Sequence, residues 1–417
     1  MVGSMIRGSA RRFSLIVSRL KLTGSWRYEA GKRDLRLDLL RGFAVVAMVA
    51  DHIGGERSWL YALTGGDGFW VSAAEVFVFI SGLLLGMISA GVMARHGLGV
   101  ALMKGLQRTW TLYLLTVTLT LSFIALSAQL DLSWGPEMAS VSWIDLVVSV
   151  MTLHRTFYLT DILLLYTLLV LMAVPVLVLL AQGHTRWVLV GSWGLWTLWQ
   201  LAPQHAQFPW AIADNSVFNF PAWQVLFVTA TAIGYHRQRL ERCGTWVSAR
   251  LLLVLSGATV AAAIAVYISF LQGPMPPHAW LVDQLFSKVD LRIGRLLVFA
   301  SFLTFAVSLL TLAWKPICRT LGWLLLPLGQ DALSAYILHL FVVALAVKVR
   351  PMLLGIDSDS PLHNTLFQLA GVTFIWAALM VRPMLTVSFH TWLGRVTALL
   401  GAGRAHLSPQ ASLGREL

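Results

Sequence analysis

Residues 37–53 of the chain, LDLLRGFAVVAMVADHI, form an apolar stretch with Asp38 and Arg41 near one end and Asp51 and His52 at the other. An ionised side chain inside a bilayer is costly unless it is paired or hydrated, so such residues are functional candidates. Arg41 and His52 are eleven residues apart. This spacing places them on one helical face, within roughly 20° and about 16 Å apart along the axis. The pair predicts a polar pathway through a helix bundle, unless both side chains snorkel to the membrane interfaces.

The composition indicates a polytopic helical membrane protein. Of 417 residues, 57% are hydrophobic and 12% are charged, about half the charged fraction usual in soluble domains. The net charge of +12 and the 18 tryptophans fit basic cytoplasmic loops and interfacial aromatic belts. No basic module typical of nucleic-acid binding is present. Cys243 and Cys318 lie in basic loops and predict neither a disulfide framework nor a metal site.

The hydrophobic runs predict an all-α bundle of about ten transmembrane helices. The segment 141–153 is apolar but short, which predicts an interfacial helix. The predicted spans are 37–53, 70–92, 109–128, 162–182, 187–201, 222–236, 251–271, 295–314, 331–349 and 365–382.

Lysine and arginine cluster before the first span and after the second, sixth and eighth spans, which predicts that both termini are cytoplasmic. The predicted organisation is a basic cytoplasmic arm at 1–33, the membrane bundle at 34–395 and a cytoplasmic tail at 396–417. The arm lacks the apolar core of a secretory signal and is expected to lie on anionic lipid.

The second span carries an acidic residue at the depth expected for His52. Glu75 shares a helical face with Gly82 and Gly86, a small-residue stripe suited to close helix packing. A carboxylate there could accept a hydrogen bond from His52, fix its tautomer and raise its basicity. The alternative is that Glu75 pairs with Arg57 in the first outer loop.

Three later stretches supply candidate substrate-binding side chains. Asp161 begins the fourth span, either as an acceptor for glycan hydroxyls or as a helix N-cap, and Tyr166 lies deeper in the same span. In the sixth span, Trp223 is either a sugar platform or an interfacial anchor, and a buried Gln224 requires a hydrogen-bond partner. The further candidates are Asn219 before the sixth span and Gln330, Ser334 and His339 in the ninth. By itself, His339 would more commonly be an interhelical hydrogen bonder.

Five blocks, in order, resemble those of a known family. RLDLLRGFAVVAMVADHI (36–53) is similar to the opening of acyltransferase-3 membrane acyltransferases, in which an arginine precedes a catalytic histidine by eleven positions, and LGQDALSAYILHLF (328–341) matches a later helix at Gly329, Tyr336 and His339. The resemblance is closer to the OpgC branch, succinyltransferases of osmoregulated periplasmic glucans. AAEVFVFISGLLLG, YLTDILLLYTLLVLMAVPV and FNFPAWQVLFVTATAIG resemble blocks of that branch, which usually has a proline where this chain has Leu164.

The resemblance implies a membrane O-acyltransferase with acyl-CoA, expected to be succinyl-CoA, as co-substrate, no bound cofactor or metal, and an extracytoplasmic glycan as acceptor. Arg41 would meet the CoA phosphates or a succinyl carboxylate, unless it pairs structurally with Asp38. His52 would act as general base or as a covalent acyl carrier. The rival interpretations are a transporter of protons or an anionic solute, and a non-catalytic partner of a glycan synthase.

Overall fold

The computed structural model describes residues 33–53, 57–65, 69–130, 142–215, 217–243, 248–272, 279–354 and 360–381. Within them the regular structure is helical, without a β-strand. The predicted arm before residue 33 and the predicted tail 396–417 lie outside these residues.

The helices are α1 (Leu35–Ile53), α2 (Trp59–Thr64), α3 (Ala73–His96), α4 (Leu98–Leu130), α5 (Trp143–Met151), α6 (Asp161–Ala181), α7 (Thr185–Leu201), α8 (Phe220–Tyr235), α9 (Arg237–Cys243), α10 (Ala249–Gln272), α11 (Ala279–Phe286), α12 (Ile293–Leu312), α13 (Trp314–Gln330), α14 (Ala332–Leu354) and α15 (Pro361–Val381).

The fold is the predicted all-α polytopic membrane bundle. Each of the ten predicted spans coincides with a helix, and seven helices in the described part of the chain are long and apolar enough to cross a membrane. The other three, α1, α7 and α8, are shorter or more charged, so their crossing stays a prediction. The segment 141–153 contains the short helix α5. The sequence interpretation missed α13, because its charges and Pro327 break up the apolar run.

Glycines allow two pairs of helices to approach closely. A side chain at Gly82 would overlap the backbone carbonyl of Phe227, and one at Gly86 would overlap that of Thr231, so α3 and α8 pack almost backbone to backbone. The small-residue stripe predicted for α3 therefore serves helix packing, as expected of such stripes in membranes. In the same way, Gly42 of α1 lies against the carbonyl of Leu325 in α13.

Charged residues tie the start of α1 to its neighbours. Asp34, which is buried, accepts hydrogen bonds from Arg36 and from Arg237 of the segment after α8, both at 2.8 Å. Burial raises the pKa of the Asp34 carboxyl, but the hydrogen bonds and charges of the two arginines outweigh it, so the pKa lies below its ordinary value. Asp38 forms a bidentate ion pair with Arg33, whose Nε and Nη2 donate to the two carboxylate oxygens at 2.7 and 2.8 Å. These contacts hold the beginning of α1, and with it Arg41, in place.

Candidate active site

A cavity of about 670 Å³ lies between α1, α3, α4, α6 and α14. Its wall includes both Ser72, just before α3, and Val92, near the end of α3. The cavity therefore follows α3 for about 30 Å by helical rise. Apolar side chains and the hydroxyls of Ser81 and Tyr166 line its middle.

The two ends of the cavity differ in chemistry. At one end, here called the Arg41 end, the wall carries the three cationic side chains of Arg41, Lys104 and Arg108. At the other, the His52 end, it carries Asp51, His52, Tyr158, Asp161, Lys288, Tyr336 and His339. Because α1 contributes a residue to each end, the shared face predicted for Arg41 and His52 faces the cavity.

His52 and His339 form a direct pair at the His52 end. Nδ1 of His52 lies 2.9 Å from Nε2 of His339, and the ring centroids are 4.9 Å apart. His339 is completely buried, whereas His52 is exposed to the cavity. If Nδ1–H of His52 donates to His339, the proton of the neutral ring lies on Nδ1 and the lone pair lies on Nε2. That is the tautomer that a general base or a nucleophile needs.

Glu75 does not orient His52, and this part of the prediction is wrong. One carboxylate oxygen of Glu75 accepts a hydrogen bond from Arg295 of α12, and the other accepts from the backbone N–H of Ser72 at 2.9 Å and from its hydroxyl. Glu75 and Arg295 are both almost completely buried. The alternative pairing of Glu75 with Arg57 is likewise replaced by the pair with Arg295. Glu75 thus caps α3 and neutralises a buried arginine.

Arg41 forms no hydrogen bond or close ion pair with Asp38, whose carboxylate is bonded to Arg33, although the charge of Asp38 is near enough to act on Arg41. Nε of Arg41 is buried and has no hydrogen-bond partner among the described residues. Arg41 and Arg108 both lie close enough to Tyr166 to interact with it electrostatically. The structure therefore presents Arg41 as part of a cationic group facing the cavity rather than as half of a local ion pair.

The fourth-span candidates both face the cavity. Asp161 is the first residue of α6, and its Oδ1 accepts a hydrogen bond from the backbone N–H of Ile162 at 2.9 Å, while Thr160 holds the N-cap position. Tyr166 lies 3.4 Å from the hydroxyl of Ser81, across the middle of the cavity. Beside Asp161, burial and then the Asp161 charge raise the pKa of Tyr158, so its phenol stays protonated and can donate a hydrogen bond.

The candidates of the sixth span do not line the cavity. Trp223 is completely buried and packs edge-on against Phe218, so it cannot be a sugar platform in this conformation. Gln224 has the hydrogen-bond partners that its burial requires: its amide carbonyl accepts from the Ser192 hydroxyl at 2.6 Å, and its NH₂ donates to backbone carbonyls. Asn219 is the N-cap residue of α8.

The ninth-span candidates are divided between two helices. Gln330 is exposed at the end of α13, outside the predicted span, and Ser334 lies on α14 away from the cavity wall. His339, in contrast, lines the cavity. The break between Gln330 and Ala332 falls where the sequence interpretation assumed a continuous helix.

Three cationic residues of the cavity had no site role in the sequence interpretation. Lys104 and Arg108 belong to the basic cluster after the second predicted span, which indicates orientation only, and Lys288 lies between the seventh and eighth predicted spans. The spacing of four between Lys104 and Arg108 was the available signal, because it places both on one face of a helix. No sequence pattern around Lys288 predicts that it lines the cavity.

These features define a multi-pass helical membrane protein with an internal cavity, cationic at one end and carrying a histidine pair at the other. The model of the OpgC protein family matches residues 33–385, and the chain belongs to that family. Membership indicates a membrane acyltransferase of the glucan-modifying type. Searches of the curated proteins and of the solved structures gave no match.

Proposed function

We propose that this protein transfers a succinyl group from cytoplasmic succinyl-CoA to hydroxyls of a glucan on the far side of the inner membrane. In this proposal both chain termini lie in the cytoplasm, as the loop charges predict. The observation that carries the proposal is the single cavity that joins three cations to a histidine pair. It offers a route for an acyl group between two compartments.

The Arg41 end is assigned to the donor. Arg41, Lys104 and Arg108 line this end together, and guanidinium and ammonium groups suit the phosphates of CoA. Arg41 and His52 are separated by about 16 Å of helical rise. This distance suits an extended pantetheine arm, whose thioester would then reach His52 while its phosphates stay with the cations.

His52 is assigned to the transfer step. Its Nε2 accepts the proton of the acceptor hydroxyl, whose oxygen bonds to the thioester carbonyl carbon; the C–S bond breaks, and the CoA thiolate leaves with that proton. If His52 instead carries the acyl group covalently, the Nε2 lone pair attacks the thioester carbonyl and the C–S bond breaks to release the CoA thiolate. The acceptor hydroxyl then attacks the acyl carbon, the C–N bond to Nε2 breaks, and the hydroxyl proton passes through Nε2 to the thiolate. Both routes need the proton of His52 on Nδ1, so His339 is a positioning residue. Asp161 and Tyr158 are suited to bind sugar hydroxyls.

Release of CoA by the purified full chain in liposomes tests the proposal. With succinyl-CoA and a glucan oligosaccharide, we expect free CoA and succinylated glucan, whereas a transporter would release no CoA. His52→Ala should reduce turnover by about 10²-fold or more, the usual contribution of a general base. His154→Ala is the matched control, because His154 is an exposed histidine stacked on Trp210 outside the cavity. The absence of CoA release with wild type, or His52→Ala turnover above about a tenth of wild type, would contradict the proposal.

A further inference from the structure

The turn between α11 and α12 carries Lys288 to the His52 end of the cavity. Side chains of α7 form hydrogen bonds with this turn. Nε1 of Trp196 donates to the Leu291 carbonyl at 3.1 Å, and Nε1 of Trp199 donates to the Asp290 carboxylate at 3.0 Å. Gln200 adds a hydrogen bond to the Asp290 carbonyl at 2.7 Å. The position of Lys288 is therefore set by the fold.

Lys288 lies at a different end of the cavity from the other cationic side chains that line it. Among the described lysines and arginines that line the cavity, Arg41, Lys104 and Arg108 are grouped at the opposite end, and Lys288 is the one at the His52 end. Asp161 is close enough to interact with Lys288 electrostatically. The backbone N–H of Ile162 and the N-terminus of α6 share the negative charge of Asp161.

The length of a short dicarboxylic acyl group decides which cation can bind its free carboxylate. In a succinyl group, three C–C bonds separate the thioester carbonyl carbon from the carboxylate carbon, a distance of about 4 Å. Arg41 lies about 16 Å from His52 along α1, and its Cα–Cβ bond tilts away from His52. Arg41 therefore cannot bind the carboxylate while the carbonyl reacts at His52.

We propose that Lys288 binds the terminal carboxylate of the acyl group during transfer and so selects a dicarboxylic acyl donor over a neutral one of equal length. The inference rests on the proposed acyl transfer and names its specificity-determining residue. An ammonium on a flexible stem suits this role, since it can follow a carboxylate that moves with the acyl group.

Competition between succinyl-CoA and butyryl-CoA, which have acyl chains of equal length, tests this assignment. With the full chain in liposomes and a glucan oligosaccharide, Lys288→Met should lower the ratio of kcat/KM for succinyl-CoA to that for butyryl-CoA by roughly ten- to a hundredfold, the loss of a charge-assisted hydrogen bond. Transfer from succinyl-CoA should therefore fall by that factor more than transfer from butyryl-CoA does, and Lys288→Arg should retain the preference. Lys315→Met, at a lysine outside the cavity, is the matched control. Lys288→Gln repeats the test if the Met variant is unstable.

An unchanged donor ratio in Lys288→Met would overturn the inference. An equal loss with both donors would also overturn it, because Lys288 would then serve the acceptor or the chemistry itself. Wild-type protein that uses both donors without preference would refute the role of Lys288 and leave acyl transfer standing. Wild-type protein that releases CoA from neither donor would refute the proposed function, and the inference with it.

Discussion

Arg41→Lys separates donor binding from chemistry. The substitution keeps one positive charge but loses the planar, two-pronged contact with a phosphate. A charge-assisted hydrogen bond contributes about 1.5–3 kcal/mol, and because Lys keeps the charge we expect the lower half of that range, or roughly a tenfold weaker affinity for acyl-CoA. Since Arg41 lies about 16 Å from His52, the pH profile of turnover and the KM for the glucan should hardly change.

Donor and acceptor affinities, measured in parallel with thermal unfolding in detergent, provide the assay. Arg237→Lys is the matched control: it also alters an arginine near the start of α1, but one that bonds to Asp34 and does not line the cavity. Arg237→Lys should leave acyl-CoA affinity unchanged. Normal donor affinity together with a lower unfolding temperature in Arg41→Lys would make Arg41 a structural residue and refute the reasoning.

Three further predictions concern the histidine pair and the buried ion pairs. His339→Leu should lower kcat more than His339→Gln does, because the Gln carbonyl can still accept from Nδ1–H of His52; equal loss in both would remove the positioning role. Glu75→Gln should lower the free energy of unfolding, by up to about 3–5 kcal/mol, since it removes the buried negative charge that is bonded to Arg295; unchanged stability in chemical denaturation would contradict this. The pKa of Asp34 is lower in the folded state than its value of about 3.9 in the unfolded state. The ionised carboxyl therefore stabilises the folded protein above the unfolded pKa, and this stabilisation is lost as the pH falls through the pKa of the folded state. Acidification below about pH 4 should therefore destabilise wild type more than Asp34→Asn, and parallel pH curves would show that Asp34 is not responsible.

Parts of the candidate site followed from local sequence, and parts did not. The periodicity of one helix is enough to predict that Arg41 and His52 share a face, since both residues lie on the same rigid element. The partner of His52 was not predictable in this way. His52 and His339 are 287 positions apart, and several polar residues had comparable depths by hydropathy. Glu75 had the expected depth, but Arg295 and Ser72 occupy its oxygens.

By itself, the sequence determined the class of protein, the positions of the ten apolar helices and the alignment of charge along α1, because hydropathy and helical period act within single segments. Only the tertiary structure decided which polar residues face the cavity. Trp223 and Gln224 resembled binding residues but are packed against neighbouring helices, whereas Lys104 and Lys288 resembled loop charges but line the cavity. The physical reason is that depth along a helix is set by that helix alone, while the direction of each polar face is set by close contacts, such as that of Gly82 with the backbone of α8, between helices distant in sequence.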